Sequence, residues 1–163
     1  MNSGKEINLS IKQLETKAES EICARMRASS EPWITLKRDY NAAIKSITGA
    51  RREVYLGLIA NEIVGYILIT LEGPLPGFVL TLCVDEKWRG NKIGAKLLRY
   101  AENRIFEKSP NVFLFVSDFN EKAQKFYIRH GYKKTGELEN YIINGYSELL
   151  FRKTVGARSD FFD

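Results

Sequence analysis

The chain has 163 residues, enough for one domain with a hydrophobic core and too few for two domains of ordinary size. Hydrophobic residues make up 44% and charged residues 28%, a balance typical of a folded globular protein rather than a disordered one. No apolar run approaches the roughly 20 residues that a membrane-spanning helix needs, and no signal-peptide core is recognised. We therefore expect a cytoplasmic protein that does not associate with membranes.

The formal net charge of +5 favours an acidic partner, such as nucleic acid, an anionic membrane surface or a phosphorylated cofactor. Cations exceed acids most clearly between positions 86 and 108. The sequence has no sustained Lys/Arg run, no zinc-finger spacing and no aromatic-basic RNA-binding signature. These patterns favour a phosphorylated small molecule, and we expect no nucleic-acid partner.

Two cysteines, Cys23 and Cys83, lie far apart in the sequence. They are not accompanied by a CxxC pair or by His at metal-ligand spacing, so we predict neither a disulfide framework nor a metal site. Both are predicted to be small buried hydrophobic residues.

The N-terminal part predicts a strand followed by a helix. Apolar residues alternate over positions 5–11, which is typical of a half-buried strand. Over positions 15–28, Ala18, Ile22 and Met26 recur at spacings of four, which predicts one helix that ends near Ser29 and Ser30.

A loop and a second helix follow. Pro32 disfavours helical dihedrals at the residue before it, so we place Glu31 in a loop. Apolar residues at helical spacing predict a helix over positions 35–47, and Gly49 is a plausible end for it.

The middle of the chain predicts strands. Positions 53–70 read as a hairpin with its turn at Asn61 and Glu62. Positions 73–77, Gly-Pro-Leu-Pro-Gly, interrupt any regular structure. The near-continuous apolar run from Val79 to Val84 then predicts a strand buried on both faces.

A polar loop over positions 85–91 leads from this central strand into a long helix that runs from Lys92 to Lys108. The first turn of a helix has unpaired N–H groups and a partial positive charge, so it can hold a phosphate. A guanidinium at Arg89 and glycines at 90 and 94 suit that use.

A short apolar run over positions 112–117 predicts a further strand, parallel to the central one. A right-handed strand–helix–strand crossover puts the polar loop at the carboxyl end of the central strand. Asn120 is a suitable N-cap for a helix over positions 121–130, and Gly131 is a suitable end.

The C-terminal part predicts a closing hairpin over positions 132–141 and 146–153, with Asn144 and Gly145 as its turn. Residues 1–154 are therefore predicted to form one domain. Residues 155–163 form a C-terminal tail, in which Phe161 and Phe162 require cover from elsewhere.

Two motifs resemble those of the GNAT superfamily of acyl-CoA-dependent N-acetyltransferases. Motif A of that superfamily, Arg/Gln-x-x-Gly-x-Gly/Ala, is similar to the segment from Arg89 to Ala95, although Lys92 stands where the first motif glycine usually lies. Motif B resembles the segment from Asn120 to Tyr132. Two motifs in the expected order and on the expected elements are more specific than either alone. Motif A is carried by Arg89, Gly90, Asn91, Lys92, Ile93, Gly94 and Ala95, and motif B by Asn120, Ala123, Phe126, Tyr127, Gly131 and Tyr132.

The resemblance implies an α/β (α+β) fold. Its sheet is mixed, mostly antiparallel, six- to seven-stranded and splayed between strands 4 and 5, with about four helices. It also implies acetyl-CoA as co-substrate, with the pantetheine arm in the splay, and no metal. The implied cofactor-binding residues are Leu82, Cys83, Val84, Arg89, Gly90, Asn91, Lys92, Ile93, Gly94, Ala95, Asn120 and Tyr127.

The implied reaction is direct attack of a primary amine on the thioester of acetyl-CoA. Tyr127 matches the superfamily's frequent tyrosine acid, which would protonate the departing thiolate. Some relatives place a glutamate base five residues before the motif B asparagine, but Phe115 occupies that position here. The base is therefore left open among Asp118, Glu31, Glu72 and Glu148. His130 lies in the last turn of its helix, which favours an interaction with the helix dipole.

The acceptor would lie between the loop after the first helix and the last hairpin. These segments contribute Glu31, Trp33 and Tyr141 as predicted substrate-binding residues. The acceptor could be a small amine, an aminoacyl group or a peptide N-terminus, and a homodimer is an open option for assembly. A non-catalytic CoA-binding or sensing module is the main alternative, because of Lys92 and the missing strand carboxylate. A basic nucleic-acid-binding domain would rest on charge alone.

Overall fold

The computed structural model describes residues 7–161, which form a seven-stranded sheet with four α-helices. Among these residues, no helix is both long and apolar enough to span a bilayer. The strands are β1 (Ser10–Gln13), β2 (Glu53–Ile59), β3 (Glu62–Thr70), β4 (Phe78–Val84), β5 (Asn111–Ser117), β6 (Lys133–Glu139) and β7 (Ser147–Thr154). The helices are α1 (Lys17–Ala28), α2 (Tyr40–Ile47), α3 (Ile93–Phe106) and α4 (Glu121–Arg129).

The strands are ordered β1-β2-β3-β4-β5-β7-β6 across the sheet. Every neighbouring pair is antiparallel except β4 and β5, which are parallel and joined through α3. The mixed, mostly antiparallel sheet with four helices confirms the predicted fold class.

The sheet opens between β4 and β5. These strands pair only where Phe78 faces Phe113 and Val79 faces Leu114. On its other side, β4 changes register against β3 so that Leu80 is an extra residue between Val79 and Thr81. A bulge bends the strand that carries it. The bulge therefore coincides with the point where β4 leaves β5, and the main chain from Leu80 to Val84 has no β5 partner.

Each face of the sheet carries its own hydrophobic core. One core is built on α3, whose Leu97, Leu98 and Ala101 are fully buried, together with Tyr127 of α4. The other is built on α1 and α2 and includes both cysteines, which are buried and free as predicted. Because the two cores lie on opposite faces, β4 is covered on both sides.

The N-terminal elements begin later than predicted. The predicted strand over positions 5–11 starts at Ser10, and residues 5 and 6 lie outside the described part of the chain. The helix starts at Lys17 because Thr16 and Glu19 form a capping box. On this helix, Ile22 is 39% exposed, whereas Cys23, Ala24 and Arg27 are buried together with Met26.

The second helix begins at Tyr40 rather than at position 35. Lys37 has a left-handed backbone (φ 53°), which interrupts a helix, and the Asp39 side chain then caps α2 by accepting from the Ala42 N–H at 2.9 Å. Residues 31–37 form turns that pack Leu36 inward.

Both hairpin turns differ from their predicted form. Ala60 and Asn61, rather than Asn61 and Glu62, take the positive φ values between β2 and β3. The closing hairpin has a longer connection over residues 140–146, in which the Asn140 side chain accepts from the Gly145 N–H at 2.7 Å. In the tail, Val155 donates its N–H to Pro110, residues Ser159–Phe161 form a 3-10 turn, and Phe162 lies outside the described residues.

Candidate active site

The polar loop after β4 turns into α3 at Lys92. This residue is the N-cap, has a left-handed backbone (φ 60°) and makes no side-chain capping bond. Asn91 stabilises the loop by donating Nδ2–H to the Trp88 carbonyl at 2.9 Å. The first N–H groups of α3 are therefore not satisfied by a side-chain cap, which leaves them suited to an anion.

The conformation of Lys92 bears directly on the motif resemblance. A side chain would be easily tolerated there with ordinary helical dihedrals, but the structure has the left-handed form instead. That form favours glycine and costs another residue roughly 1 kcal/mol or more. The backbone at Lys92 is therefore strained, at the position where the motif usually has glycine.

Arg89 joins the loop to the neighbouring elements. Its Nε–H donates to the Val84 carbonyl at 3.2 Å, and Nη2–H donates to the Ser30 hydroxyl at 3.3 Å. The guanidinium thus connects the end of β4 to the residues after α1. Gly94 lies one turn further on, where an added Cβ would stand 3.7 Å from both Val84 and Phe126 of α4.

A cleft of about 590 Å³ lies between the diverging strands β4 and β5. Residues from β4, β5, α4, the turns after α1 and the last hairpin line it. Of the predicted site residues, it brings together Leu82, Asn120, Tyr127, Trp33 and Tyr141. Cys83, Val84 and the residues from Arg89 to Ala95 lie outside its lining, as does Glu31.

Tyr127 lies on the inward face of α4 and is 8% exposed. Its ring meets those of Phe126 and Tyr132 edge-on, with centroids 5.1 and 5.5 Å away. Burial raises the pKa of its hydroxyl above the ordinary value, so the group remains a proton donor at neutral pH. The structure therefore places a protonated phenol at the cleft.

Asn120 both caps α4 and lines the cleft, as its position in the sequence suggested. Its side-chain oxygen accepts from the Ala123 N–H at 3.2 Å and caps α4, while the residue also lines the cleft. His130 forms the C-terminal cap of α4, and its ring nitrogen Nδ1 lies 2.7 Å from the Phe126 carbonyl, away from the cleft lining.

Glu148 differs from the other carboxylates considered as a base. It is 5% exposed, lines the cleft and accepts a hydrogen bond of 2.6 Å from the Ser117 hydroxyl. Burial raises the pKa of its carboxyl, and the nearby Asp118 raises it further. A raised pKa makes a carboxylate a better proton acceptor near neutral pH.

The remaining candidate carboxylates already have structural partners. Asp118 accepts from the Ser147 N–H at 3.0 Å, and Glu72, which also lines the cleft, is exposed and forms an ion pair with Arg51 at 2.8 Å. Glu31 is exposed and accepts from the Thr35 N–H at 3.2 Å, which holds the turn after α1. The structure therefore does not bring Glu31 to the cleft, and its predicted substrate-binding role has no geometric support.

An aromatic wall forms one side of the cleft. Phe115 lies between Phe78 and Tyr141, with ring centroids at 5.3 and 5.6 Å. This position on β5, where some relatives have a glutamate, is thus apolar. Sequence reasoning singled out Tyr141 but gave no role to Phe78, because only the β4–β5 register brings it beside Phe115.

Residues 12–132 match the model of the acetyltransferase (GNAT) family. The chain therefore belongs to this family. An uncharacterized N-acetyltransferase of Methanocaldococcus jannaschii is 33% identical over 101 residues, which cover 61% of this chain and 64% of that protein.

Solved structures show the same fold at low sequence identity. The ribosomal-protein-S18-alanine N-acetyltransferase of Escherichia coli is 15% identical with a TM-score of 0.71, and the comparison covers 92% of this chain and 96% of that one. The aminoglycoside 6'-N-acetyltransferase of Enterococcus faecium is 18% identical with a TM-score of 0.68 over 91% and 98% of the chains. A further aminoglycoside 6'-N-acetyltransferase, solved with coenzyme A, is 17% identical with a TM-score of 0.71 over 91% and 98%.

The geometry of this chain fits acetyl-CoA. The main chain from Thr81 to Val84 pairs with β3 but not with β5, so its groups on the open edge are of the kind that an amide-containing arm can use. The uncapped start of α3 suits a pyrophosphate, and the cleft beside Tyr127 has room for a thioester. Among residues 7–161, no group of three or more His, Cys, Asp and Glu side chains is arranged to hold a metal ion.

Proposed function

We propose that this protein transfers the acetyl group of acetyl-CoA to a primary amine by direct attack on the thioester. The observation that carries the proposal is the opening between β4 and β5, which is lined by a buried, protonated Tyr127 and a buried Glu148. Acetyl-CoA supplies the activated acetyl group, as it does for the family. One relative of known structure was solved in complex with coenzyme A.

The loop and the first turn of α3 would bind the diphosphate. In the segment from Arg89 to Ala95, the Arg89 N–H donates to the Glu86 carbonyl, and the following amides supply N–H donors and the positive end of the helix dipole. Lys92 adds a cation at this point. Between Leu82 and Val84, the main-chain groups directed away from β3 have no β5 partner, so they can orient the arm that leads to the reacting carbon and polarise its carbonyl oxygen.

Glu148 would act as the general base. An aliphatic amine has a pKa near 10.4 in water and is mostly protonated at pH 7, so a proton must leave before attack. The Glu148 carboxylate accepts that proton, directly or through one water, and its raised pKa brings it closer to the amine. The Ser117 hydroxyl, at 2.6 Å, holds the carboxylate in place.

Tyr127 would act as the general acid. Its hydroxyl gives a proton to the departing sulfur; a tyrosine hydroxyl has an ordinary pKa of about 10, which burial raises, so it carries this proton at neutral pH. Asn120, which lines the same cleft from the start of α4, would contact the cofactor while it caps its helix. Trp33 and Tyr141 would contact the acceptor amine.

Release of free thiol across a broad panel of amines tests the proposal. We expect acetyl-CoA-dependent thiol release with at least one acceptor, and a kcat about 10²-fold lower in Tyr127→Phe with little change in acetyl-CoA affinity. Tyr100→Phe removes a hydroxyl from an exposed ring on α3 and serves as the matched control. No turnover with any amine, despite acetyl-CoA binding, would contradict the proposal.

The left-handed backbone at Lys92 favours a second candidate, a CoA-binding or sensing module without turnover. Strain and a bulky side chain beside the diphosphate site could slow a catalytic cycle that requires repeated binding and release. This candidate predicts that Tyr127→Phe behaves like the parent protein in every thiol-release assay.

A cytoplasmic location remains a prediction from the sequence.

A further inference from the structure

The cleft contains a buried cation with no anionic partner. Arg27, at the end of α1, is 8% exposed and lines the cleft, and neither its Nε nor its Nη1 has a hydrogen-bond partner. No carboxylate within residues 7–161 forms an ion pair with it. Its guanidinium carbon lies 5.3 Å from the centroid of the Trp33 ring, and the neighbouring Tyr66 hydroxyl interacts with its charge.

An unpaired buried guanidinium is costly to a folded protein, because charge taken from water needs compensation. Burial lowers the pKa of Arg27 from its ordinary value, as expected for a cation that has lost its hydration. The hydroxyls of Thr81 on β4 and Tyr66 on β3 are also buried without a partner; Thr81 lines the same cleft, whereas Tyr66 lies outside its lining. Arg27 and Thr81 thus bring two unsatisfied polar side chains to one cleft, and a polar ligand bound there would satisfy both.

The positions of the charges indicate what this ligand carries. Arg38 is the other guanidinium of the lining, and its charge acts on both Arg27 and Glu148. Two cations therefore line a cleft that also holds the buried carboxylate of Glu148 and the exposed carboxylate of Glu72, which is paired with Arg51. An amine alone would pair with Glu148 and leave Arg27 uncompensated.

We propose that the acceptor amine also carries a carboxylate, which binds to Arg27 and the Thr81 hydroxyl while the amine faces Glu148. This assignment rests on the proposed function and names its substrate class: a free amino acid or a similarly short amine with a carboxylate. A guanidinium fork binds a planar carboxylate through two parallel hydrogen bonds, and one such group neutralises one buried cation. Polycationic acceptors and the N-termini of proteins lack this group beside the amine.

Matched acceptor pairs test the assignment by activity. The standard amino acids are compared with their α-carboxamides, which keep size and amine but lose the negative charge. We expect kcat/KM to be at least 10-fold higher for the acid of the best pair. Arg27→Gln should abolish this preference, whereas Arg25→Gln, an exposed arginine on the same helix, should retain it.

Binding without catalysis gives a second readout. N-acetylated amino acids cannot accept a further acetyl group, and they should raise the Tm of the parent protein and of Arg25→Gln but not of Arg27→Gln. The corresponding N-acetyl amino acid amides should leave all three unchanged. This assay needs no acetyl-CoA, so it stands even if turnover is never found.

A third variant separates binding from folding. Arg27→Met replaces the unpaired guanidinium by an apolar side chain of similar length, so the Tm of the ligand-free protein should stay the same or rise. A clear fall in Tm, with the acid preference retained in Arg27→Gln, would show that Arg27 has only a structural role and would overturn the assignment.

The outcomes distinguish the two proposals. Equal turnover of acids and carboxamides, or a preference for phosphoethanolamine over every carboxylate, would overturn the substrate class and leave the acetyltransferase proposal intact. Binding of N-acetyl amino acids without turnover of any amine would support the carboxylate site and count against the catalytic proposal.

Discussion

Glu148 is buried and lines the cleft between β4 and β5. Its raised pKa means that the folded protein binds the proton more tightly than the unfolded chain does. Its contribution to stability is thus fully present below the unfolded value of about 4.5 and is lost as pH rises through the folded pKa. At neutral pH, this carboxylate therefore opposes folding, which is typical of a functional group.

Replacement of this carboxylate should separate activity from stability. We expect Glu148→Gln to lower kcat/KM by about 10²-fold or more and to remove the rise of activity with pH that a base produces. Its free energy of unfolding should equal or exceed that of the parent protein at pH 7, with the gap closing toward pH 4. Thiol-release assays and urea titrations over this pH range measure both effects.

Glu139→Gln is the matched control for this experiment. Glu139 is exposed on β6, opposite Ser147 and one residue away from Glu148 in register. It should leave the pH profile and the unfolding curve unchanged. A Glu148→Gln protein with the parent pH profile would rule out this base.

At the scale of single residues, sequence reasoning found the groups that lie within motifs. Tyr127 and Asn120 were placed by the spacing of motif B, and both line the cleft. Glu148 was one of several open candidates, because its burial depends on the β5–β7 register that sets it opposite Ser117. Arg27 gave no sequence signal, since a charged residue near the end of a helix is usually solvated.

At the scale of elements, the start of α3 has a residue whose backbone conformation is unfavourable for its type, at the position where we expect the diphosphate to bind. Lys92 has a left-handed backbone that a glycine would adopt without strain. Retaining the lysine places an ammonium beside the amides that would bind the diphosphate. We infer that charge at this position offsets the local cost.

Two substitutions at this position separate strain from charge. Lys92→Ala removes the ammonium but keeps Cβ, whereas Lys92→Gly removes both. We expect Lys92→Gly to be more stable than Lys92→Ala by about 1 kcal/mol in urea unfolding. Acetyl-CoA affinity, measured by calorimetry, should fall several-fold in both variants. If Lys92→Ala were as stable as Lys92→Gly, the backbone at this position would not be strained. If the affinity for acetyl-CoA were unchanged in both variants, the ammonium would have no role in binding.

Element types were predictable where pattern and length agreed. The long amphipathic pattern of α3 and the apolar run of β4 were recognised because each fits one period only. The start of α2 was misplaced by five residues, since the apolar spacing continues through Leu36 although Lys37 breaks the helix. Lysine is common in helices, so the sequence does not reveal that Lys37 has a left-handed backbone and interrupts the helix.

At the scale of the whole molecule, the opening of the sheet determines where chemistry can occur. The order of elements predicted a parallel β4–β5 pair, and the family resemblance implied the splay. The bulge at Leu80, which gives the splay a local cause, could not be predicted because it depends on the pairing of β4 with β3. The cleft volume and its lining likewise follow from the assembled sheet, with α1 and α2 on one face and α3 on the other.

A crystal structure of the protein with acetyl-CoA tests the central claim most directly. The account predicts that the diphosphate contacts the amides between Arg89 and Ala95, and that the pantetheine arm lies between β4 and β5 with its thioester beside Tyr127. A cofactor bound elsewhere, or a β4–β5 opening that remains filled by protein side chains at saturating acetyl-CoA, would contradict it.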